Sequence, residues 1–103
     1  MKSLTDRSFD KNIRKSRYSA VMFFANCCGP SRMALEIFSL VEKKRKRVRF
    51  FTVNADNEVA LARRCGVEIF PAILLFDRGE LTLASYGVSG KKSLDELLDR
   101  LTK

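Results

Sequence analysis

Cys28 is the residue of this chain with the clearest capacity for chemistry, and it opens the segment Cys28-Gly29-Pro30-Ser31. A lone thiol is followed there by a turn and the start of a helix, with a hydroxyl where a second thiol would be expected. Thiol–disulfide exchange needs one sulfur to attack and another to release the product. The segment therefore predicts an attacking thiol that lacks its partner sulfur.

The types of residue present narrow the chemistry further. The chain has no histidine, which removes imidazole as a base and as a metal ligand, so Cys–His hydrolases and most zinc sites are excluded. Its three cysteines are an odd number and do not form the paired framework of a small secreted protein. No apolar run reaches the roughly 18 residues of a membrane span. We expect no signal peptide, because residues 1–7 lead into polar residues and not into an apolar region. We expect one domain over residues 1–103, monomeric, cytoplasmic, with reduced thiols, no cofactor and no membrane contact.

The surface charge is strongly positive. The net charge is +8, and five consecutive basic residues form the run Lys43–Arg47. Such a field favours an acidic partner. Nucleic-acid binding usually combines a basic patch with a recognisable reading element, and none is present, so we do not expect it.

The first half of the chain predicts, in order, a short helix, a strand, a second helix and a second strand. The short helix covers residues 7–15 and is capped by Thr5 or Asp6. The apolar run 21–25 is typical of a strand covered on both faces. After Gly29-Pro30 the pattern becomes helical, and the predicted inner stripe consists of Met33, Ile37, Leu40 and Val41. A strand over 48–53 follows, and this order predicts a right-handed crossover with parallel pairing.

The second half predicts a short helix, a hairpin and a last helix. The helix contains Val59, Leu61, Ala62 and Cys65, and Gly66 ends it. Strands over 73–76 and 81–86 are joined by the tight connection 77–80. A final helix from about Ser93 turns its leucines inward. The whole pattern indicates an α/β protein whose mixed sheet carries helices on both faces.

The reactivity of Cys28 follows from this arrangement. In a strand–helix–strand unit, reactive groups gather in the loop that leaves the carboxyl end of the first strand, where Cys28 lies. Free N–H groups at the head of the next helix stabilise a thiolate and lower its pKa. The sequence thus predicts a nucleophilic sulfur. The alternative is an inert, partly buried thiol.

Several segments, in order and spacing, resemble the thioredoxin family over nearly the whole chain. They are residues 4–10, 23–30, 54–56, 66–71 and 74–80, which include Phe23-Phe24-Ala25-Asn26-Cys27-Cys28-Gly29-Pro30 and Gly66-Val67-Glu68-Ile69-Phe70-Pro71. The resemblance implies the thioredoxin fold, a central mixed four-stranded sheet flanked by four helices. It implies that Cys28 is the attacking cysteine, that Ser31 occupies the resolving position, and that Pro71 is a cis proline beside the thiol.

The same resemblance implies a thiol–disulfide oxidoreductase or isomerase that acts in electron transport. Its substrates would be protein disulfides, and its reductant thioredoxin reductase or glutathione. The substrate-binding positions implied are Cys27, Gly29, Pro30, Phe70 and Pro71.

This chain departs from the family pattern at linked positions. Ser31 replaces the resolving cysteine, Met22 stands at a buried aspartate, Thr52 at the lysine that pairs with it, and Cys27 at a tryptophan. A buried carboxylate that serves the resolving thiol has no task when that thiol is absent. A natural monothiol protein explains these changes more economically than an engineered Cys-to-Ser substitution, which leaves Met22 and Thr52 unexplained.

Other readings stay open at this point. A Cys27–Cys28 bridge is possible but strained, because adjacent Cα atoms lie closer than disulfides prefer. Cys65 fits a small apolar core residue. A thiolate-bound iron–sulfur cluster, as in monothiol glutaredoxins, is disfavoured by Pro30. The second functional hypothesis is a redox-inactive binding module that docks an acidic protein through its basic surface.

Overall fold

A computed structural model describes residues 1–26, 29–87 and 90–103, and for Gly29 and Pro30 the backbone only. The described strands are β1 (Lys2–Ser3), β2 (Tyr18–Phe24), β3 (Val48–Asn54), β4 (Ala72–Asp77) and β5 (Glu80–Tyr86). The described helices are α1 (Phe9–Lys15), α2 (Gly29–Glu42), α3 (Val59–Arg64) and α4 (Lys91–Leu101).

The strands form one mixed sheet in the order β1-β3-β2-β4-β5. β2 pairs with β3 in parallel and with β4 in antiparallel, so the predicted crossover through α2 is confirmed. The expected four-stranded sheet is present, and β1 adds a fifth, two-residue strand at its edge. Two residues show no periodicity, which is why the sequence did not indicate this strand.

The core lies on both sides of the sheet. One cluster holds β2 and β3 side chains against α1 and α3, and includes Phe9, Phe23 and Phe51. The other lies under α2 and α4, and includes Met22, Phe38 and Leu98. Six of the seven β2 residues are buried. The apolar run 21–25 predicted a covered strand, and in the structure this strand begins three residues earlier, at Tyr18, and ends at Phe24. Both sheet faces are therefore covered by helices.

The buried stripe of α2 differs from the predicted one. Met33 and Leu40 are 56% and 53% exposed, whereas Ala34, Phe38 and Val41 are buried. The prediction for Met33 and Leu40 was wrong because apolar residues cover a broad arc of α2, wider than the side that packs on the sheet. The side that is buried depends on how the helix is placed on the sheet. Hydrophobic periodicity does not give that placement.

The start of α1 differs in part from expectation. α1 begins at Phe9, and Ser8, the residue before it, makes no side-chain capping bond to the helix. Thr5 caps the turn that leads into α1: its Oγ1 accepts a 3.3 Å hydrogen bond from the Ser8 N–H, and its own N–H donates to Ser8 Oγ at 3.0 Å. α2 ends at Glu42, and the basic run follows the helix directly.

The β4–β5 connection is a two-residue turn of Arg78 and Gly79, whose φ angles are 52° and 87°. A two-residue turn with positive φ at both central positions matches the twist of the two strands that it joins. Glycine adopts positive φ without steric cost. This turn fixes the register of the hairpin and confirms the predicted connection.

Candidate active site

The candidate site lies at the end of the sheet where β2 stops and α2 begins. β2 ends at Phe24, and the described chain resumes at Gly29, the first residue of α2. Cys27 and Cys28, which the sequence assigns to the reactive segment, lie outside the described residues. Cys28 immediately precedes Gly29 in the sequence, and the described groups on either side of it define the candidate site.

The head of α2 is electrostatically suited to an anion. The helix has 14 residues and no acidic residue in its first turn, where Arg32 lies exposed. The first N–H groups of a helix have no intrahelical partner, and the peptide dipoles sum to about half a positive charge at that end. A negative group placed before Gly29 is therefore stabilised.

Ser31 is buried in the first turn of α2, with only 2% of its surface exposed. Its Oγ accepts a 3.4 Å hydrogen bond from the N–H of Ala25, a long and hence weak interaction. This bond ties the start of α2 back to the end of β2. The Ser31 hydroxyl therefore makes a structural contact that requires no part in a reaction.

Phe70 and Pro71 lie at the same end of the sheet. Phe23 pairs with Ala72 across β2 and β4, which brings the residue before β4 level with the end of β2. The Phe70–Pro71 peptide bond is cis. Pro71 is buried, and its carbonyl oxygen accepts a 2.8 Å hydrogen bond from the Gly87 N–H. The register therefore brings together the head of α2 and the Phe70–Pro71 segment.

An open cleft of about 310 Å³ lies beside Phe70, between α3 and the segment that leads to β4. Its lining includes the apolar residues Val59, Val67 and Phe70 and the charged residues Asp56, Arg63 and Glu68. Next to it, Ile69 is 60% exposed. The cleft offers apolar surface to a chain that passes Phe70.

A ring of hydrogen bonds joins the loop after β2 to the turn after β3. The N–H of Asn26 donates to Oδ2 of Asp56 at 2.7 Å, and Nδ2 of Asn54 donates to Oδ1 of Asn26 at 3.1 Å. The N–H of Asp56 closes the ring on Oδ1 of Asn54 at 3.0 Å. Sequence reasoning assigned this ring no role, although Asn54-Ala55-Asp56 is one of the segments that resembles the thioredoxin family.

The interior behind the site contains no carboxylate or amine side chain among the described residues. Met22 is fully buried under α2 and α4, and Thr52 lies opposite it in the β2–β3 register. The buried polar residues within the described ranges are Asn12, Ser19 and Ser31. No described carboxylate is therefore in a position to move a proton inside the protein.

Cys65 is the C-cap residue of α3 and packs, partly buried, against the core cluster that includes Phe9. Burial raises the pKa of its thiol, the field of Arg64 lowers that pKa, and Asp10 and Asp6 raise it. Burial is the largest of these effects. Cys65 thus has the properties of a core residue, as its sequence context suggested.

The described residues also limit other site types. They include no group of three or more cysteine, aspartate or glutamate side chains arranged to hold a metal ion. Over the same ranges, no helix has both the length and the apolar composition needed to cross a membrane.

The chain is similar to known proteins over nearly its whole length. The Thioredoxin family model matches residues 1–103. Thioredoxin of Rickettsia bellii is 28% identical over 99 residues, and thioredoxin of Rickettsia felis 29% over 100 residues. These alignments cover 94% and 95% of this chain, and the same shares of the two relatives.

A solved structure of Plasmodium falciparum thioredoxin superimposes with a TM-score of 0.91 at 21% identity, over 97% of this chain and 98% of that one. At this identity the likeness concerns the fold. The thioredoxin fold is therefore present, and the activity class that the family implies is thiol–disulfide exchange. The chain belongs to the thioredoxin family.

Proposed function

We propose that Cys28 is the single nucleophile of a thiol–disulfide exchange protein. Its thiolate attacks one sulfur of a protein disulfide, a mixed disulfide forms, and the other substrate sulfur leaves as a thiolate. The observation that carries the proposal is the β2–β4 register, because it brings the head of α2 and the Phe70–Pro71 segment to one end of the sheet. Cys28 is the residue before that helix head.

The thiolate needs no neighbouring base in this scheme. The unpaired N–H groups and the dipole at the head of α2 lower the pKa of a thiol at Cys28. The first turn of α2 has no carboxylate to oppose this effect. A lower pKa raises the thiolate fraction at neutral pH above the about 3% of a free cysteine.

Ser31 changes how the reaction ends. A serine hydroxyl has no acidity near neutral pH and cannot displace sulfur from a disulfide, so Ser31 does not resolve the intermediate. An external thiol must attack instead, either glutathione or a second cysteine of the substrate. That attack forms a new disulfide on the incoming sulfur and returns Cys28 as a thiolate. When a substrate cysteine other than the one just released supplies the thiol, the substrate disulfide is isomerised without net reduction. Attack by the released cysteine only reverses the first step.

The docking surface comes from the described residues around Phe70. An extended substrate would pass Pro71 and the exposed Ile69, with an apolar side chain in the cleft beside Phe70. Cys27, Gly29 and Pro30 would border the same path on the α2 side. Protein disulfides are the substrates that fit this surface and the family.

The alternative is a redox-inactive binding module that uses the basic surface. It is favoured by the exposed cations of the run 43–47, of which Lys43 and Lys46 have no ion pair among the described residues. The two functions differ in whether Cys28 reacts as a thiolate.

The pH dependence of Cys28 alkylation separates the two functions. The folded chain is treated with iodoacetamide across pH, and modification of each cysteine is followed by peptide mass spectrometry. Exchange activity predicts a midpoint for Cys28 at least one pH unit below that of a free cysteine, and Cys28→Ser loses the corresponding signal. Cys27→Ser and Cys65→Ser serve as matched controls and keep it. A midpoint at or above that of a free thiol would contradict exchange activity and support the binding module.

A further inference from the structure

The outer edge of β3 is only partly covered. β1 is the last strand of the sheet, and its two residues pair with Phe51 and Thr52. β3 begins three residues earlier, at Val48. Within the described ranges, residues 48–50 therefore have no neighbouring strand on this side.

The main chain of this open segment faces outward at regular intervals. The N–H of Leu4 donates to the carbonyl oxygen of Thr52 at 2.8 Å, so the main-chain groups of Thr52 point to the outer edge. Main-chain direction alternates along a strand, so Phe50 and Val48 direct their groups to the same edge. The Val48 N–H is already bonded to the Arg45 carbonyl at 3.2 Å. The Phe50 amide and the Val48 carbonyl remain on the open part of the edge.

A groove of about 490 Å³ runs along this edge. We call it the β3-edge groove, and its charged lining residues are Lys2, Lys43, Arg45, Lys46, Arg49 and Glu42. Five of these side chains are cationic and one is anionic. The groove therefore combines a strand edge with a positive rim.

Most of this positive charge is not neutralised within the described parts of the chain. Arg45 is engaged by Asp95 and Asp99 on α4, and Glu42 lies 3.7 Å from the amino nitrogen of Met1. The other cations at the rim face no described carboxylate within ion-pair distance: Lys2, Lys43, Lys46 and Arg49. The Arg49 guanidinium is held 5.4 Å from the centre of the Phe51 ring. An acidic ligand would supply the missing counter-charges.

We propose that the β3-edge groove binds an extended acidic segment of a partner protein, which adds a strand beside Val48–Phe50. Strand addition draws affinity from main-chain hydrogen bonds and specificity from alternate side chains. Carboxylates of the added strand would face Lys43, Lys46 and Arg49. A peptide suits this site better than a nucleic acid, because Phe50 and Phe51 are buried and provide no face on which bases could stack.

The groove is far from the candidate active site. Val48 and Asn54 are the two ends of β3, and six residues of a strand span about 20 Å. A partner bound at the β3-edge groove leaves the Phe70–Pro71 end of the sheet open. This docking function therefore does not depend on whether Cys28 reacts.

The proposal is tested with a defined peptide and the full chain. The probe is a fluorescein-labelled octapeptide of alternating glutamate and valine, which contains no cysteine, and binding is followed by fluorescence anisotropy at low and physiological ionic strength. A second probe has the same sequence with alternate amides N-methylated, which keeps the charge and removes half of the hydrogen-bond donors. A lysine–valine octapeptide and a thymidine octanucleotide complete the set.

The first readout uses charge reversal in the groove. Lys43→Glu with Lys46→Glu and Arg49→Glu is expected to weaken binding of the acidic peptide about tenfold or more. The matched control reverses the exposed residues Lys11, Lys92 and Lys103, has the same net charge, and is expected to change affinity less than about threefold. Lys43→Glu with Lys46→Glu, both in the turn after α2, is a second variant that leaves β3 intact.

The second readout locates the peptide. Amide NMR is expected to show the largest shifts and increased exchange protection at Phe50 and its neighbours, and the N-methylated probe is expected to bind about tenfold more weakly. The proposal is overturned if the acidic peptide does not bind, if both triple variants lose affinity equally, or if N-methylation has no effect. It is also overturned if the octanucleotide binds the groove more tightly than the acidic peptide, which would identify a nucleic-acid surface.

Discussion

The backbone N–H of Asn26 donates a 2.7 Å hydrogen bond to Oδ2 of Asp56. This bond joins the last described residue before Cys27 to the turn that follows β3. Asn54 completes the ring by bonding to both residues. Two loops that are far apart in the sequence are thus held together at the end of the sheet where we place the reactive thiol.

Removal of the Asp56 carboxylate should loosen this connection. Asp56→Ala is expected to lower the free energy of unfolding by about 1 kcal/mol, because a hydrogen bond to a charged group is lost at an exposed position. It should also slow alkylation of Cys28, since the preceding loop is less well held. Urea denaturation and alkylation rates measure the two effects. Asp56→Asn keeps an acceptor oxygen and should recover most of both, whereas an unchanged Asp56→Ala variant would show that the ring has no role.

Restoring sulfur at position 31 should shorten the lifetime of the mixed disulfide. Ser31→Cys is expected to speed release of a Cys28-bound substrate and to raise insulin reduction, because a second thiol then lies on the same chain. Ser31→Ala is the matched control. It should leave release slow and cost about 1 kcal/mol of stability, since the buried Ala25 N–H loses its acceptor. Equal release from both variants would contradict the assignment of position 31.

Cys65 should react slowly in the folded protein. Burial raises the pKa of its thiol, so the thiolate fraction at pH 7 lies below the about 3% of a free cysteine. Its alkylation should accelerate in urea to the rate of an unfolded peptide. The stabilisation that the protonated thiol provides is complete below the unfolded pKa of about 8.5 and is lost as pH rises toward the higher folded pKa. Cys65→Ala should remove this alkaline loss, and fast modification at pH 7 would contradict burial as the cause.

Arg45 should stabilise the junction between the end of α2 and α4. Its guanidinium donates to Oδ1 of Asp99 at 2.8 Å and to Oδ1 of Asp95 at 3.1 Å, and it also reaches the Asp95 carbonyl oxygen. Arg45→Met is expected to lower the free energy of unfolding by about 1 kcal/mol, with a smaller loss at high salt. Arg45→Lys keeps the charge but loses the planar set of donors of the guanidinium. The stability of this variant should therefore lie between those of the unchanged protein and Arg45→Met. Urea denaturation at two ionic strengths gives the values, and a salt-independent loss would point to packing instead.

The strand–helix–strand unit was predictable because its signals are local. The apolar run that became β2 reads as a fully covered strand, and the change to helical period after Gly29-Pro30 marks α2. Arg78-Gly79 likewise marks a hairpin turn through the backbone angles that it permits. Each of these signals lies within a few residues of the element that it forms.

The side of α2 that faces the sheet was not predictable in the same way. Apolar residues cover a broad arc of this helix, so periodicity left several orientations open. Phe38 is buried against the sheet and Leu40 is exposed, because only one side of a helix can pack on a given surface. β1 was missed for a related reason, since Lys2 and Ser3 pair with β3 only once the chain has returned to that edge.

The sequence alone determined the kinds of group available: one cysteine before a helix, serine three residues later, no histidine, and an excess of positive charge. Tertiary structure decided which of these groups meet. It brought Asn26 to Asp56, placed Pro71 beside the end of β2, and left three residues of β3 open beside unpaired cations. Sequence patterns report local conformation and burial, whereas these contacts join residues 30 to 50 positions apart, and only the closure of the sheet brings them within reach.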